Sequence, residues 1–210
     1  MKKLPVLLAL SVISAALLAG CGGSGKTDST ELRYASMKDI RNINPHLYLG
    51  EMAAQAMVFE PLVVSTKDGI KPWLAESWTI SPDGHTYTFR LRQGVKYSAG
   101  TPFDAESVKL NIEAVLQNKV RHAWLDFTNE IASVDAPSPD TVVLKLHHAY
   151  YPTLTELSVT RPFRFISPKC MKSGSTKDGV TCLSGTGPWV LSEHKQNQYA
   201  VFTANPSYWG

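Results

Sequence analysis

Cysteine is scarce in this chain, with only three among its 210 residues, so a disulfide-rich scaffold is excluded. A strong excess of charge of one sign is also lacking, because 21 basic side chains face 18 acidic ones. Lys2 and Lys3 belong to a leader without acids, and the rest of the chain carries 19 basic and 18 acidic side chains. A chain this close to neutral has no overall attraction for polyanions, so we expect no nucleic-acid partner.

The chain also lacks an apolar run as long as a membrane-spanning helix, which needs ~20 residues. The apolar stretch from Leu4 to Leu18 follows two lysines and ends in small residues, as in a secretory signal, which we predict for residues 1–20. The segment Leu18-Ala19-Gly20-Cys21 resembles the bacterial lipobox, which implies cleavage before Cys21 and lipid attachment to its sulfur. An ordinary cleaved signal with an incidental cysteine is the alternative.

Residues 21–30 are rich in Gly, Ser and Thr, and we predict a flexible tether there between the lipid anchor and a folded domain that begins at residue 31. These features predict an exported protein, in the periplasm or at the cell surface, held to a membrane by its lipid.

The two remaining cysteines, Cys170 and Cys182, lie on either side of a loop rich in Lys, Ser and Gly. An even pair in an oxidising compartment favours a disulfide that closes this loop. Two free thiols are the alternative, and metal ligation is less favoured because the spacing fits no C-x-x-C pattern.

The composition, 43% apolar and 19% charged, is that of a globular domain able to bury a core. Apolar alternation, turn residues and a helix cap at Asp104 predict interleaved strands and helices, hence a mixed α/β fold. The predicted elements are a strand at 32–35, a helix at 51–60, a strand at 62–64, a hairpin of 76–80 with 86–92, a helix from 104 to about 117, and strand pairs at 131–134 with 141–146 and 189–191 with 199–202. The final residues, 205–210, end without a charged tail, and we expect them to lie within a longer fold.

A series of motifs along the chain carries a family resemblance. In order they are Asn44-Pro45-His46-Leu47-Tyr48, Phe59-Glu60-Pro61-Leu62-Val63, Lys71-Pro72-Trp73-Leu74-Ala75-Glu76-Ser77-Trp78, Ser81-Pro82-Asp83-Gly84, Leu91-Arg92-Gln93-Gly94-Val95-Lys96-Tyr97, Phe103-Asp104-Ala105 and Gly185-Thr186-Gly187-Pro188. Together they resemble the peptide/nickel class (family 5) of extracellular solute-binding proteins, the receptors of ABC importers. Four further segments, at 121–125, 149–152, 161–166 and 197–202, resemble the nickel-binding receptors of that class.

The resemblance implies a two-lobed periplasmic-binding-protein fold of type II, in which the lobes close on the ligand. It covers residues 31–210 as most of the first lobe, with its inserted subdomain, and so implies the N-terminal part of a receptor. It also implies a lipoprotein without enzymatic activity that captures nickel as an organic chelate and delivers it to a permease and ATPase. No cofactor is implied, since the chelate is the ligand.

The resemblance also implies roles for particular residues. Arg121 and Arg161 match the arginines that hold the chelator's carboxylates, a role suited to the guanidinium fork. Tyr48, Met52 and Trp124 match the wall of the pocket, although the stretch from Tyr48 to Met52 is one residue shorter than the family pattern. The family's direct metal ligand is a histidine beyond residue 210, so no metal ligand is expected in this chain.

Several alternatives stay open at this point. A di- or oligopeptide receptor of the same class would use the arginines for a peptide carboxylate, and a more remote alternative is an exported hydrolase. Each arginine has a purely structural alternative as a surface ion pair or a cation-π contact with an aromatic ring, and Trp124 has one as a core residue. His46, His122, His147 and His148 have the side chain that nickel favours, but neither the family pattern nor strand geometry favours them as ligands.

Overall fold

The computed structural model describes residues 33–210, and the chain divides into two compact units, Met1–Met37 and Lys38–Gly210. The predicted signal peptide, Cys21 and the tether lie outside the described residues. Residues 33–35 are irregular and exposed, so the strand predicted at 32–35 is wrong for its described part, because no buried face holds the segment in a sheet. Within residues 33–210, no helix is both long and apolar enough to cross a membrane.

The helices and strands of the second unit alternate irregularly along the chain. In chain order they are α1 Met52–Val58, β1 Val63–Thr66, β2 Gly69–Pro72, β3 Ala75–Ile80, β4 Thr86–Leu91, α2 Ala105–Leu116, a 3-10 helix Lys119–His122, α3 Phe127–Glu130, β5 Ile131–Ser138, β6 Thr141–Leu146, α4 Thr153–Leu157, a 3-10 helix Pro168–Cys170, β7 Met171–Lys172, β8 Ser175–Val180, β9 Trp189–Lys195 and β10 Tyr199–Ala204.

The main sheet is antiparallel and has the strand order β3-β4-β6-β5. Alternate residues of its two central strands are buried, among them Phe89 on β4 and Leu144 on β6, as expected of a sheet with one face on a core. The turn between β3 and β4 is the predicted Ser81-Pro82-Asp83-Gly84 segment, and Gly84 takes a φ of 73° that favours glycine. In the described part of the chain, three further hairpins, β1-β2, β7-β8 and β9-β10, form separate two-stranded sheets.

Helix α2 packs against β5 and β6 and connects two hydrophobic clusters. Val108, Ile112 and Val115 belong to the larger cluster, on the main sheet. Ala114 belongs to the smaller cluster, which it forms with Ile43, Ala54, Val58, Phe59, Ile166, Cys170 and Met171. The second cluster lies under the loop before α1, and this loop carries one of the predicted pocket residues.

Helix α1 is shorter than predicted, because it ends at Val58 rather than Glu60. Phe59 is extended, with φ −119° and ψ 137°. The carbonyl of Phe59 accepts a hydrogen bond from Arg164 and that of Glu60 accepts one from Phe165, at 2.8 and 3.3 Å. Because Pro61 disfavours helical backbone at the residue before it, these long-range bonds replace the last helical turn.

Candidate functional site

Tyr48 lies in the loop before α1, whose backbone is held by buried side-chain amides. Gln55 on α1 donates from Nε2 to the carbonyl oxygens of Asn44 and Leu47, at 2.7 and 3.1 Å. Asn44 donates from Nδ2 to the Thr176 carbonyl at 2.9 Å. Both amides are fully buried, so breaking these bonds would leave polar groups unpaired away from water. The loop therefore presents Tyr48 from a fixed backbone.

Three aromatic rings meet at Tyr48. Its ring centroid lies 5.7 Å from that of Trp124 and 5.5 Å from that of His122, in edge-to-face arrangements of 70° and 67°. Such arrangements are favourable because a positive ring edge meets a negative ring face. Trp124 is 62% exposed, so the alternative that it is a core residue is wrong.

The guanidinium of Arg161 lies over the Tyr48 ring. Its Cζ is 5.4 Å from the ring centroid, within the range of a cation-π contact. Nη1 of Arg161 donates to the Gly50 carbonyl at 3.1 Å and to Oε1 of Gln55 at 3.4 Å. A guanidinium has five N–H donors, and the hydrogen bonds of Arg161 within residues 33–210 use Nη1. The half-buried side chain is thus fixed at one end of its fork.

Burial is the largest influence on the pKa values of Tyr48 and His122, and the charges of two arginines act on both groups. Burial raises the pKa of Tyr48, and the side-chain hydrogen bond with Trp124 and then the charges of Arg161 and Arg121 act in the opposite direction. Burial and, to a smaller extent, the neighbouring Arg121 charge together lower the pKa of His122 to about 4. At neutral pH the cluster therefore holds a neutral phenol, a neutral imidazole and the positive charges of two arginines, which favours an anionic ligand.

The structure brings together most of the site residues predicted from the sequence, and these residues interact with the group in different ways. Tyr48, Trp124 and Arg161 form direct ring and cation-π contacts. Arg121 is exposed at the edge of the group and acts on it through its charge. Met52 begins α1, close in the chain to the loop that carries Tyr48, and is 48% exposed.

His46 and Arg164 lie apart from this group in a buried network. His46 Nε2 lies 3.0 Å from the Arg164 carbonyl and Nδ1 lies 2.9 Å from the Thr176 hydroxyl. Since a carbonyl only accepts, Nε2 carries the proton and Nδ1 accepts from Thr176. Burial lowers the pKa of His46 to about 4. Both ring nitrogens are therefore used in holding the fold.

The two adjacent histidines at the end of β6 are exposed. His147 and His148 follow the last residue of the strand, and His148 Nδ1 pairs with Glu130 Oε2 at 3.0 Å. Across residues 33–210, no three side chains of His, Cys, Asp or Glu converge in a way that could hold a metal ion.

Cys170 and Cys182 form a disulfide bond, with their Cα atoms 4.9 Å apart. Cys170 is fully buried in the smaller cluster. The bond spans the β7-β8 hairpin, whose residue Thr176 accepts from Asn44 and contacts His46. The disulfide therefore fixes the base of a hairpin that supports the loop carrying Tyr48.

One member of the site was not predicted in its present role. The sequence points to His122 only as an alternative metal ligand, whereas in the structure its Nδ1 lies 2.6 Å from the Tyr48 hydroxyl. The signal that the sequence offers is the place of His122 between Arg121 and Trp124. The hydrogen-bond partner of His122, Tyr48, is 74 residues away in the chain. Local pattern alone could not identify it.

Residues 69–210 match the profile of the bacterial extracellular solute-binding proteins, family 5, middle region. The chain belongs to this family. The family predicted from the sequence motifs is thereby confirmed.

Two curated relatives and one crystal structure of this kind are similar to the chain over most of its length. The chain is 50% identical to the nickel-binding periplasmic protein of Escherichia coli (strain K12), over 86% of its length and 35% of the relative's. It is 31% identical to a putative ABC transporter peptide-binding protein of Brucella ovis, over 80% of its length and 33% of the relative's. The crystal structure of NikA from Brucella suis in complex with Fe(III)-EDTA matches with a TM-score of 0.84 at 50% identity, over 85% of this chain and 36% of that one.

The family member described here spans about a third of the length of the curated relatives that it matches. Its structural neighbours are periplasmic binding proteins of type II, so the mixed α/β fold corresponds to part of a first lobe. The predicted fold class is confirmed.

Proposed function

We propose that the chain is part of a solute-binding receptor of an ABC importer that captures nickel as an organic chelate, without chemical conversion. The observation that carries this proposal is the Arg161 guanidinium held over Tyr48 beside Trp124, with the Arg121 charge at the edge. The 50% identity to a nickel-binding periplasmic protein supports nickel as the cargo.

The charges of the site favour a chelate over a bare cation. Arg121 and Arg161 would repel free Ni²⁺ and attract carboxylate oxygens, which a guanidinium fork engages in pairs. A small polycarboxylate or histidine-type chelator would bring the metal into the site with a surrounding anionic surface. The rings of Tyr48 and Trp124, with Met52 beside them, would then form the wall against which the compact complex packs.

The proposal includes partners and a location. A permease and an ATPase would receive the cargo, and the signal at residues 1–20 with lipidation at Cys21 would place the receptor in the periplasm or at the cell surface, on a membrane. The basic, apolar and small-residue order of the leader supports export. Mass analysis of the mature protein tests the anchor, because an N-terminus at Cys21 without added lipid mass would contradict it.

A peptide receptor of the same class is the second candidate function. The 31% identity to a putative peptide-binding protein supports it, since the arginines could bind a peptide carboxylate. Calorimetric titration of the purified full-length protein with nickel plus free L-histidine, nickel alone and a dipeptide separates the two. We expect the nickel-histidine mixture to bind most tightly, and preferential binding of the dipeptide would contradict the nickel assignment. Turnover of an ester or peptide substrate would contradict the proposal that the protein is not an enzyme.

Substitution of Arg161 tests the site itself. We expect Arg161→Gln to weaken binding of the nickel-histidine mixture by roughly 10- to 100-fold, since it removes a charged hydrogen-bond pair, and Arg161→Lys to recover only part of the loss because the ammonium has no fork. Arg90→Gln is the matched control, because Arg90 is exposed and pairs with Asp140 on the main sheet. Equal affinities for Arg161→Gln and Arg90→Gln, at similar unfolding temperatures, would exclude a ligand role for Arg161.

A further inference from the structure

His122 is fully buried, but among the described residues only one of its two ring nitrogens makes a hydrogen bond. It ends the 3-10 helix Lys119–His122, and none of its surface is exposed. Nδ1 lies 2.6 Å from the Tyr48 hydroxyl. Nε2 is buried and has no hydrogen-bond partner among the described residues. A side chain kept only for packing would be apolar, because burying an unpaired nitrogen costs stability.

The surroundings keep this imidazole neutral. Arg121 precedes it on the same element, while Tyr48 approaches from the loop before α1 and brings Arg161 over its ring. Burial and the Arg121 charge lower the pKa of His122 to about 4. A neutral imidazole has one donor and one acceptor nitrogen, so in either tautomer Nδ1 makes a hydrogen bond with the phenol.

Tyr48 is therefore held at both ends. Its backbone lies in the loop to which Gln55 donates two hydrogen bonds, and its hydroxyl is bonded to His122. The ring between these two points packs against Trp124 in an edge-to-face arrangement and lies beneath the guanidinium of Arg161. Loss of the hydroxyl contact would free the ring to rotate and would remove the support beneath the Arg161 guanidinium.

We propose that His122 is a positioning residue of the ligand site, which fixes the Tyr48 ring through Nδ1 and thereby holds the guanidinium of Arg161 and the indole of Trp124 in place for an anionic chelate. The consequence for ligand binding rests on the proposed function. The positioning of Tyr48 does not, and it can be measured without ligand.

The binding test uses a double-mutant cycle in the full-length protein, with nickel plus free L-histidine as the probe. We expect His122→Leu to weaken binding by about tenfold, and His122→Asn to retain most of the affinity because its side-chain amide can still bond the hydroxyl. In the Tyr48→Phe background, His122→Leu should add less than about a twofold loss, because the hydroxyl through which it acts is gone. His147→Gln, at an exposed position, is the control for unchanged binding.

A structural role would give a different pattern. If His122→Leu binds like the wild type, or if its loss is the same with and without the Tyr48 hydroxyl at unchanged unfolding temperature, the inference is overturned. The test does not depend on one variant, since Tyr48→Phe removes the same hydrogen bond from the other side.

A ligand-free measurement separates this inference from the proposed function. The imidazole ¹⁵N resonances of His122, assigned by their loss in His122→Asn, should shift between the wild type and Tyr48→Phe. An unchanged spectrum overturns the inference whatever the ligand. A shifted spectrum in a protein that binds no nickel-histidine complex supports the positioning of Tyr48 by His122 and overturns the nickel function.

Discussion

At the scale of single residues, His46 shows how burial fixes a charge state. It is 1% exposed, its two ring nitrogens bond to Thr176 and Arg164, and burial lowers its pKa from 6.5 to about 4. In the unfolded chain the same imidazole regains its ordinary pKa. Between pH 6.5 and 4 the unfolded state therefore binds more protons than the folded state, and stability falls as the pH falls.

We predict a loss of up to about 3 kcal/mol in the free energy of unfolding from His46 as the pH drops from 7 to 4. The measurement is the urea midpoint of the full-length protein across this range. His46→Gln should be less stable at pH 7 but should show a shallower dependence on pH than the wild type. An unchanged slope in His46→Gln would show that His46 is not neutral in the fold.

For single residues, the sequence predicted which side chains lie together only where the family resemblance grouped them. Tyr48, Trp124 and Arg161 were grouped by resemblance, and the structure has them in contact, although each is an ordinary residue when considered alone. The role of His122 depends on one bond to a loop far away in the chain. No periodicity or spacing encodes such a bond, so it became visible only in three dimensions.

At the scale of elements, α2 begins at a capping box. Asp104 accepts from the Ser107 backbone N–H at 2.8 Å through Oδ1, and the Asp104 N–H donates to the Ser107 hydroxyl at 3.1 Å. These bonds satisfy N–H groups that have no partner inside the helix. Residues of α2 belong to both hydrophobic clusters. The stability of its first turn therefore matters for both clusters as well as for the helix itself.

We predict that Asp104→Ala lowers the free energy of unfolding by about 1 kcal/mol. Asp126→Ala is the matched control, because Asp126 also precedes a helix, α3, but its side chain makes no capping bond. Differential scanning calorimetry of both variants measures the difference. If the two variants lose equal stability, the capping box of α2 contributes nothing beyond an ordinary exposed aspartate.

The elements that the sequence predicted are those with strong local signals. The cap at Asp104 located α2, and the Ser81–Gly84 turn between alternating strands located β3 and β4. Helices α3 and α4 have only four and five residues, too few to show a helical period. They form because Phe127 and Leu157 are buried in the larger cluster, which is a property of the packing and not of the local sequence.

At the scale of the whole molecule, the segment 184–187 connects parts that are distant in the chain. Ser184 accepts from the Ser167 N–H, Gly185 accepts from the Ser98 N–H, and Gly187 donates to the Val58 carbonyl, at 2.8, 2.8 and 2.9 Å. The segment therefore passes directly over the end of α1, next to the element that holds the Tyr48 loop. Close approach of two backbones at this point requires residues without side chains.

Gly185 gives the last prediction. A Cβ at this position would lie 1.9 Å from the Val58 carbonyl oxygen and 2.7 Å from a ring carbon of Phe59. Because backbone blocks it, Gly185→Ala must displace the segment or the end of α1, and we expect a loss of roughly 3 kcal/mol in the free energy of unfolding.

Gly174→Ala is the control that separates the steric overlap at Gly185 from backbone strain. Gly174 has a φ of 73° with nothing within 4 Å of the added carbon, so its substitution carries strain alone and should cost about 1 kcal/mol. Thermal unfolding of the two variants measures the difference. A loss at Gly185 no larger than that at Gly174 would mean that the segment can move away from α1, and the loop carrying Tyr48 would then be supported by its own hydrogen bonds and not by this crossing.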